Sequence, residues 1–223
     1  MKKNFIITIC SIILIIGNAN AQIKKLFVEL GVSANSYKGS LNEGFGNYAS
    51  SYHLGVRFCK KKILNGRINL SYGNIDGQTN TVSFINNKGK IIYPLNYFNT
   101  SLFTANYEAI FNIWSKKKYL IYLGAGAGIM RFDVKDENGN SLVNNLKSRD
   151  SDEDYSNITT YFPVFIGFNY IMKNDVRIGF QTQLLNPMTD YLDNTKNWSP
   201  NVTGDNVLAF KFFMAAPIYF GAQ

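Results

Sequence analysis

The chain has 223 residues, a formal charge of +8, 15% aromatic residues and two cysteines. That length suits one domain. The two cysteines, Cys10 in an apolar leader and Cys59 alone in the rest, exclude a disulfide-stapled secreted module. No run reaches the roughly 20 apolar residues of a spanning helix, which excludes a helical membrane protein.

Lys2 and Lys3 come first, then the apolar run 5–16, then the small-residue triplet Ala19-Asn20-Ala21. This is the layout of a secretory signal peptide. It predicts cleavage after Ala21, with residues 1–21 as leader and 22–223 as the mature domain. Two lysines leave with the leader, so the charge falls from +8 to +6. A lipoprotein needs its cysteine at the cut, and Cys10 lies inside the apolar run instead. Three classes remain: a soluble extracytoplasmic β protein, a periplasmic binding module and an outer-membrane barrel.

The mature chain repeats with a period of two, the strand period, in eight segments. In the first, Val28, Leu30, Val32 and Ala34 share one face, against Glu29, Gly31, Ser33 and Asn35. The second sets Tyr52, Leu54, Val56 and Phe58 against His53, Gly55 and Arg57. The third sets Ile68, Leu70 and Tyr72 against Arg67, Asn69 and Ser71. The fourth sets Phe103, Ala105, Tyr107, Ala109, Phe111 and Ile113 against Thr104, Asn106, Glu108 and Asn112. In the fifth, a face with Tyr122, Gly124, Gly126, Gly128 and Met130 opposes Ile121, Leu123, Ala125, Ala127 and Ile129, and the glycine face is expected to turn inward. The sixth aligns Phe162, Val164, Ile166, Phe168 and Tyr170; the seventh sets Val176, Ile178 and Phe180 against Arg177, Gly179 and Gln181. The eighth aligns Leu208, Phe210, Phe212, Met214, Ala216, Ile218 and Phe220, with Lys211 behind.

The connections alternate in length. Long ones cover about 37–50, 74–98, 133–157 and 186–206; short ones lie near 59–66, 114–118 and 172–175. Short turns on one side and long loops on the other mark a bacterial transmembrane barrel. The expected fold is all-β: an eight-stranded antiparallel up-and-down transmembrane β-barrel with short periplasmic turns and long extracellular loops. The uniform apolar faces are too bulky to fill so narrow an interior and carry no charge, so they are expected to meet lipid. A lysine or arginine there would cost about 2–4 kcal/mol. Tyr52, Tyr119 and Tyr170 near segment ends suit interfacial aromatic girdles. The opposite faces, rich in Gly, Ser, Asn and Thr, are expected to fill the lumen.

On that reading Glu29 and Glu108 share the lumen with Arg57, Arg67, Arg177 and Lys211. Unpaired buried charge is costly, so a salt-bridged, plugged core is expected; the alternative is a gated ion path.

Specific words support the pattern. The turn Tyr37-Lys38-Gly39-Ser40-Leu41 resembles the Tyr-x-Gly-Asp-Leu turn of an uncharacterised outer-membrane β-barrel family of Bacteroidota, with Ser40 in the acidic position. Thr189, Asp190, Tyr191, Leu192 and Asp193 resemble that family's Thr-Asp-Tyr-Leu-Asp motif. The resemblance implies an eight-stranded, non-enzymatic outer-membrane barrel. By fold analogy it admits a place in secretion or gliding machinery. The Thr189–Asp193 motif reads as a loop-ordering or partner-contacting element, or as a turn that folds the loop onto the rim.

His53 is the single histidine, with Ser50 and Ser51 near in sequence and Glu29 on a neighbouring strand. A lipid hydrolase needs a base beside its nucleophile and a site open to the bilayer, and His53 falls on the lumen face. Asp133, Asp136, Glu137, Asn138 and Asn140 have calcium-loop composition but lack the twelve-residue spacing and its closing glutamate. The acidic run Asp150, Asp152, Glu153 and Asp154 reads as solvated loop. Lys60–Lys62 and Lys116–Lys118 cap strand ends at the periplasmic rim, and no nucleic-acid interface is expected. "GAGAG" at 124–128 precedes no helix and is no phosphate loop.

The expectation is a non-catalytic outer-membrane barrel, without cofactor or metal, that displays four loops in a structural or interaction role. Its expected partners are outer-membrane lipid and other envelope or secretion proteins. The alternatives are a subunit of a secretion or gliding apparatus and a lipid-modifying enzyme.

Overall fold

The structure, a computed structural model, describes residues 25–42, 44–59, 63–79, 83–85, 89, 91–93, 96–144, 149, 155–195 and 204–218. The leader and its cleavage site, Lys60–Lys62, the acidic run 150–154 and Phe220 lie outside the described residues.

Ten strands follow in chain order: β1 (Lys25–Lys38), β2 (Ala49–Cys59), β3 (Leu64–Gln78), β4 (Phe84–Ile85), β5 (Ile91–Ile92), β6 (Tyr97–Ser115), β7 (Tyr119–Lys135), β8 (Ile158–Ile171), β9 (Arg177–Pro187) and β10 (Asn206–Ile218). Eight of them close an antiparallel barrel in the order β1-β10-β9-β8-β7-β6-β3-β2. Each predicted segment is one of its strands, and β10 returns onto β1 from Leu26↔Ile218 to Lys38↔Asn206. Two-residue β4 and β5, which sequence periodicity is too short to reveal, make a hairpin within the second long loop.

The alternation has the expected sense. Leu30, Val32, Leu54, Phe103, Tyr107, Val164, Ile166, Phe180, Phe212 and Met214 are exposed on the outer surface. Crossing a bilayer takes about 9–11 tilted residues, so β6 (19 residues) and β7 (17 residues) run beyond it. Tyr119 stacks on Phe168 at 5.9 Å and meets Tyr170 at 5.6 Å beside the short β6–β7 turn, where a girdle belongs.

The interior corrects one expectation. It is not filled by small and polar residues alone: besides Tyr122, which lies on the glycine face expected inward, Phe27, Tyr161, Phe165 and Phe213 point inward. Three of these rings lie directly opposite a glycine on the next strand: Tyr122↔Gly167, Phe165↔Gly124 and Phe213↔Gly179. A Cβ on Gly167 would lie 2.3 Å from the Tyr122 ring, and one on Gly179 2.1 Å from Phe213. Each glycine leaves a slot that its neighbour's ring fills, so large and small residues alternate around the taper. The resulting periplasmic layer comprises Phe27, Ile110, Leu120, Tyr122, Phe165, Phe213 and Ala215. A second apolar layer at the extracellular mouth joins strand residues such as Ile75, Phe98 and Phe132 to Leu41, Leu142, Tyr191 and Leu192 from three loops. The charged layer lies between them.

Candidate functional site

Arg67 is the centre of the charged layer. Period-two alternation turns it inward from β3, directly opposite Glu108 on β6. Its Nε donates to Glu108 Oε2 at 2.5 Å, Nη1 to Glu29 Oε2 on β1 at 2.9 Å, and Nη2 to Gln181 Oε1 on β9 at 2.7 Å. One planar guanidinium therefore ties four strands across the lumen, using the fork geometry that lysine lacks. Arg67, Glu29 and Glu108 are all fully buried. The acceptors are supported in turn. Asn106 Nδ2 donates to Glu108 Oε1 at 2.7 Å, Tyr122 Oη to Gln181 Oε1 at 3.0 Å, and Gln181 Nε2 to Gln183 Oε1 at 3.1 Å.

The six expected lumen charges do not all meet. Lys211 Nζ donates to Asn69 Oδ1 at 2.9 Å, and Asn69 Nδ2 reaches Asn106 Oδ1 at 3.3 Å, so Lys211 joins the cluster only through amides. Arg57 donates from Nη2 to Asn112 Oδ1 at 3.0 Å and lies 5.1 Å from the Tyr122 ring centre. Arg177 stacks 3.8 Å over Phe27. Both belong to the periplasmic layer. Four cations share two carboxylates, and Arg67 takes both, so complete charge pairing gives way to amide and ring contacts at the other three.

Above the charged layer a cavity of about 20 Å³, lined by Asn35, Ser51, His53, Asn69, Ser71 and Thr104 among others, has room for a water molecule and no more. Ser33 Oγ donates to Asn35 Oδ1 at 2.7 Å, so the 2.8 Å contact between His53 Nε2 and Ser33 Oγ has His53 as donor. A ring nitrogen that donates cannot take the serine proton. Ser51 accepts from Asn35 Nδ2. Ser50 faces outward, away from His53.

The extracellular mouth is closed by a second polar centre, built by two motifs some 150 residues apart in sequence. Tyr37 Oη lies 2.8 Å from Asp193 Oδ2 and 2.6 Å from Asp205 Oδ1, one phenol proton serving two carboxylates. Asp193 Oδ2 accepts the Leu41 N–H at 3.1 Å, and its Oδ1 accepts from Thr195 N at 2.9 Å and Oγ1 at 2.6 Å. Asp205 Oδ2 accepts the Leu192 N–H at 2.7 Å, while Thr100 Oγ1 donates to Leu192 O at 2.6 Å. Gly39 is there because a Cβ would stand 1.8 Å from Tyr37 Oη and 2.2 Å from Asp205 Oδ1. Asn194 takes φ 65° and turns the chain back after Asp193. Tyr191 and Leu192 reach down into the apolar layer, with Tyr191 edge-on to Tyr155 at 5.3 Å. Thr189 and Asp190 stay half-exposed on the rim.

Burial pushes the Asp193 carboxyl up to about 6 against its hydrogen bonds, and lifts Asp205, beside Asp193 and Asp190, well above the usual carboxylate range. Asp205 is the site residue that the sequence pattern passed over. Its one signal is a lone acid just before the last strand. In the third loop Asp136 accepts the N–H groups of Asn138 at 2.9 Å and Asn140 at 2.8 Å, which hold its carboxyl below the usual range. That carboxylate closes a turn on its own chain, and no three His, Cys, Asp or Glu side chains gather to hold a metal among the described residues.

No protein-family model and no curated protein sequence matches the chain. Solved structures do. The barrel superposes on Neisserial surface protein A with a TM-score of 0.55 at 12% identity, covering 86% of this chain and 96% of that one. It superposes on Ail, the attachment invasion locus protein of Yersinia pestis, in complex with the heparin analogue sucrose octasulfate, with a TM-score of 0.50 at 9% identity, covering 87% and 98%. At such identities the likeness speaks for architecture. With its apolar outer belt, filled lumen and sorted loops, this chain has the fold of an eight-stranded outer-membrane β-barrel.

Proposed function

We propose that this is a non-catalytic barrel of the bacterial outer membrane that presents one of its loops to another envelope protein, and that it is exported by a leader cut after Ala21. The resemblance of its two loop motifs supports placing it with the Bacteroidota barrels named above. The observation that carries the interaction role is a contrast among the loops. Leu41, Leu142, Tyr191 and Leu192 fold three of them into the mouth. The β4–β5 hairpin of the second loop instead leaves Ile85 (68%), Ile91 (55%) and Tyr93 (60%) exposed beside a turn in which Gly89 takes φ 75°. Clustered apolar side chains at a loop tip are the usual mark of a protein contact. A non-catalytic role is favoured by His53, which spends its proton on Ser33 deep in the lumen.

The test is affinity purification from detergent-solubilised outer membranes of the wild type and of a variant carrying Ile85→Ser and Tyr93→Ser. A specific companion is expected with the wild type and not with the variant, while both keep the mobility shift of an intact barrel on unheated gels. An identical set of companions in the two samples would refute the hairpin as contact. A secretion or motility component among the companions would give the role its apparatus. An altered lipid profile in His53→Ala cells would overturn the non-catalytic reading.

A further inference from the structure

Arg57 and Arg177 carry charge that no carboxylate meets at ion-pair distance among the described residues. Arg57 is fully buried, and its Nε has no hydrogen-bond partner. Its Nη2 is held by Asn112, and Asn169, with its amide turned to accept, takes Nη1 at 3.2 Å. Arg177, half-buried at the periplasmic start of β9, also has a buried Nε without a partner. Phe27 links the two positions: it is the cross-strand partner of Arg57 and lies 3.8 Å under Arg177. Among the described residues neither lies within ion-pair distance of a carboxylate. Glu29 acts on both arginines and Asp175 on Arg177 from further away, but Glu29 is bonded to Arg67 and Asp175 to Lys25.

Two neighbouring guanidiniums in a low-dielectric interior, with no carboxylate at ion-pair distance, gain from a counter-charge placed beside them. Guanidinium matches a tetrahedral oxyanion through paired N–H donors. We propose that the periplasmic mouth of the lumen is an anion site, in which Arg177 and the Nε edge of Arg57 hold a phosphate group, free or as the phosphodiester of a lipid headgroup. Exposed Lys116, Lys117, Lys118 and Lys173 in the turns at this end raise the local concentration of anions.

The experiment is thermal melting of the purified barrel, followed by its gel-mobility shift. One arm uses neutral detergent with sodium phosphate against sodium chloride at equal ionic strength. The other uses the same neutral detergent in phosphate-free buffer with and without added phosphatidylglycerol. Binding to the folded state alone should give a saturable rise of roughly 3–8 °C in at least one arm. Arg177→Gln, which is partly exposed and should fold, is expected to abolish the rise, and Lys173→Gln to keep it. A rise with free phosphate assigns the free ion, and a rise only with phosphatidylglycerol assigns the headgroup. Equal stabilisation by chloride, or an undiminished rise in Arg177→Gln, overturns the site. Arg57→Gln, where it folds, should behave as Arg177→Gln does.

Discussion

The middle of the lumen and its extracellular mouth are both closed, by opposite means. In the middle, Arg67, Glu29, Glu108 and Gln181 all sit on strands, and barrel register places them. At the mouth, Asp193, Asp205 and Leu41 sit in loops, and their position depends on the bonds that they themselves make to Tyr37 and Thr195. The first closure is part of the wall. The second is a latch that can fail while the wall stands.

The largest effect that tests this contrast is expected from Arg67→Leu. It leaves Glu29 and Glu108 buried without their partner, at a cost of about 3–5 kcal/mol, read as a lowered urea midpoint. Adding Glu29→Gln and Glu108→Gln to the same chain should restore most of the loss. A triple variant as weak as the single one would mean that Arg67 acts by packing, not by charge. Asp193→Ala comes next: the N–H groups of Leu41 and Thr195 lose their acceptor, about 1–3 kcal/mol. Here protease cleavage within residues 188–205 should quicken while the barrel's own unfolding hardly moves. If both shift together, wall and latch are one cooperative unit.

Acidity should act on the mouth alone. The carboxyls of Asp193 and Asp205 are raised in the closed loop, so that state binds protons more tightly than the open one. Their contribution is fully present below the ordinary aspartate value of 3.8; that of Asp193 is lost as pH rises through about 6, and that of Asp205 as pH rises through its own raised value. Cleavage of the fourth loop should therefore be slower at pH 4.5 than at pH 7.5, and Asp205→Asn should flatten the difference. A profile unchanged in that variant would assign the effect elsewhere. The smallest change is expected from Lys211→Met, which removes one bond to Asn69 and a buried charge, for about 1 kcal/mol or less. A loss as large as that of Arg67→Leu would make the whole charged layer one network.

The wall was legible in the sequence because strands have a fixed period. Once Val28, Leu30 and Val32 are assigned to lipid, Glu29 must face in, and the lengths of the connections say which end is which. Size was the weaker guide. Phe165 and Phe213 point inward despite their bulk, since the glycines opposite them lie on other strands and pair only through register. The latch was half legible. Both motifs could be seen, but nothing local in Tyr37-Lys38-Gly39 says that its phenol meets Asp193, or that an isolated Asp205 completes the group. Loops obey no period, so their long-range contacts leave no pattern in the chain.

The pairing of β10 with β1 has a consequence for assembly. The first stave waits for its second neighbour until some 180 later residues have been delivered, and until then it offers a bare row of backbone donors and acceptors to any passing strand. Closure links the most distant parts of the chain, the slowest kind of contact to form. The seam between the two ends of the chain is therefore expected to be the last part of the wall to form, after the seven other strand pairings.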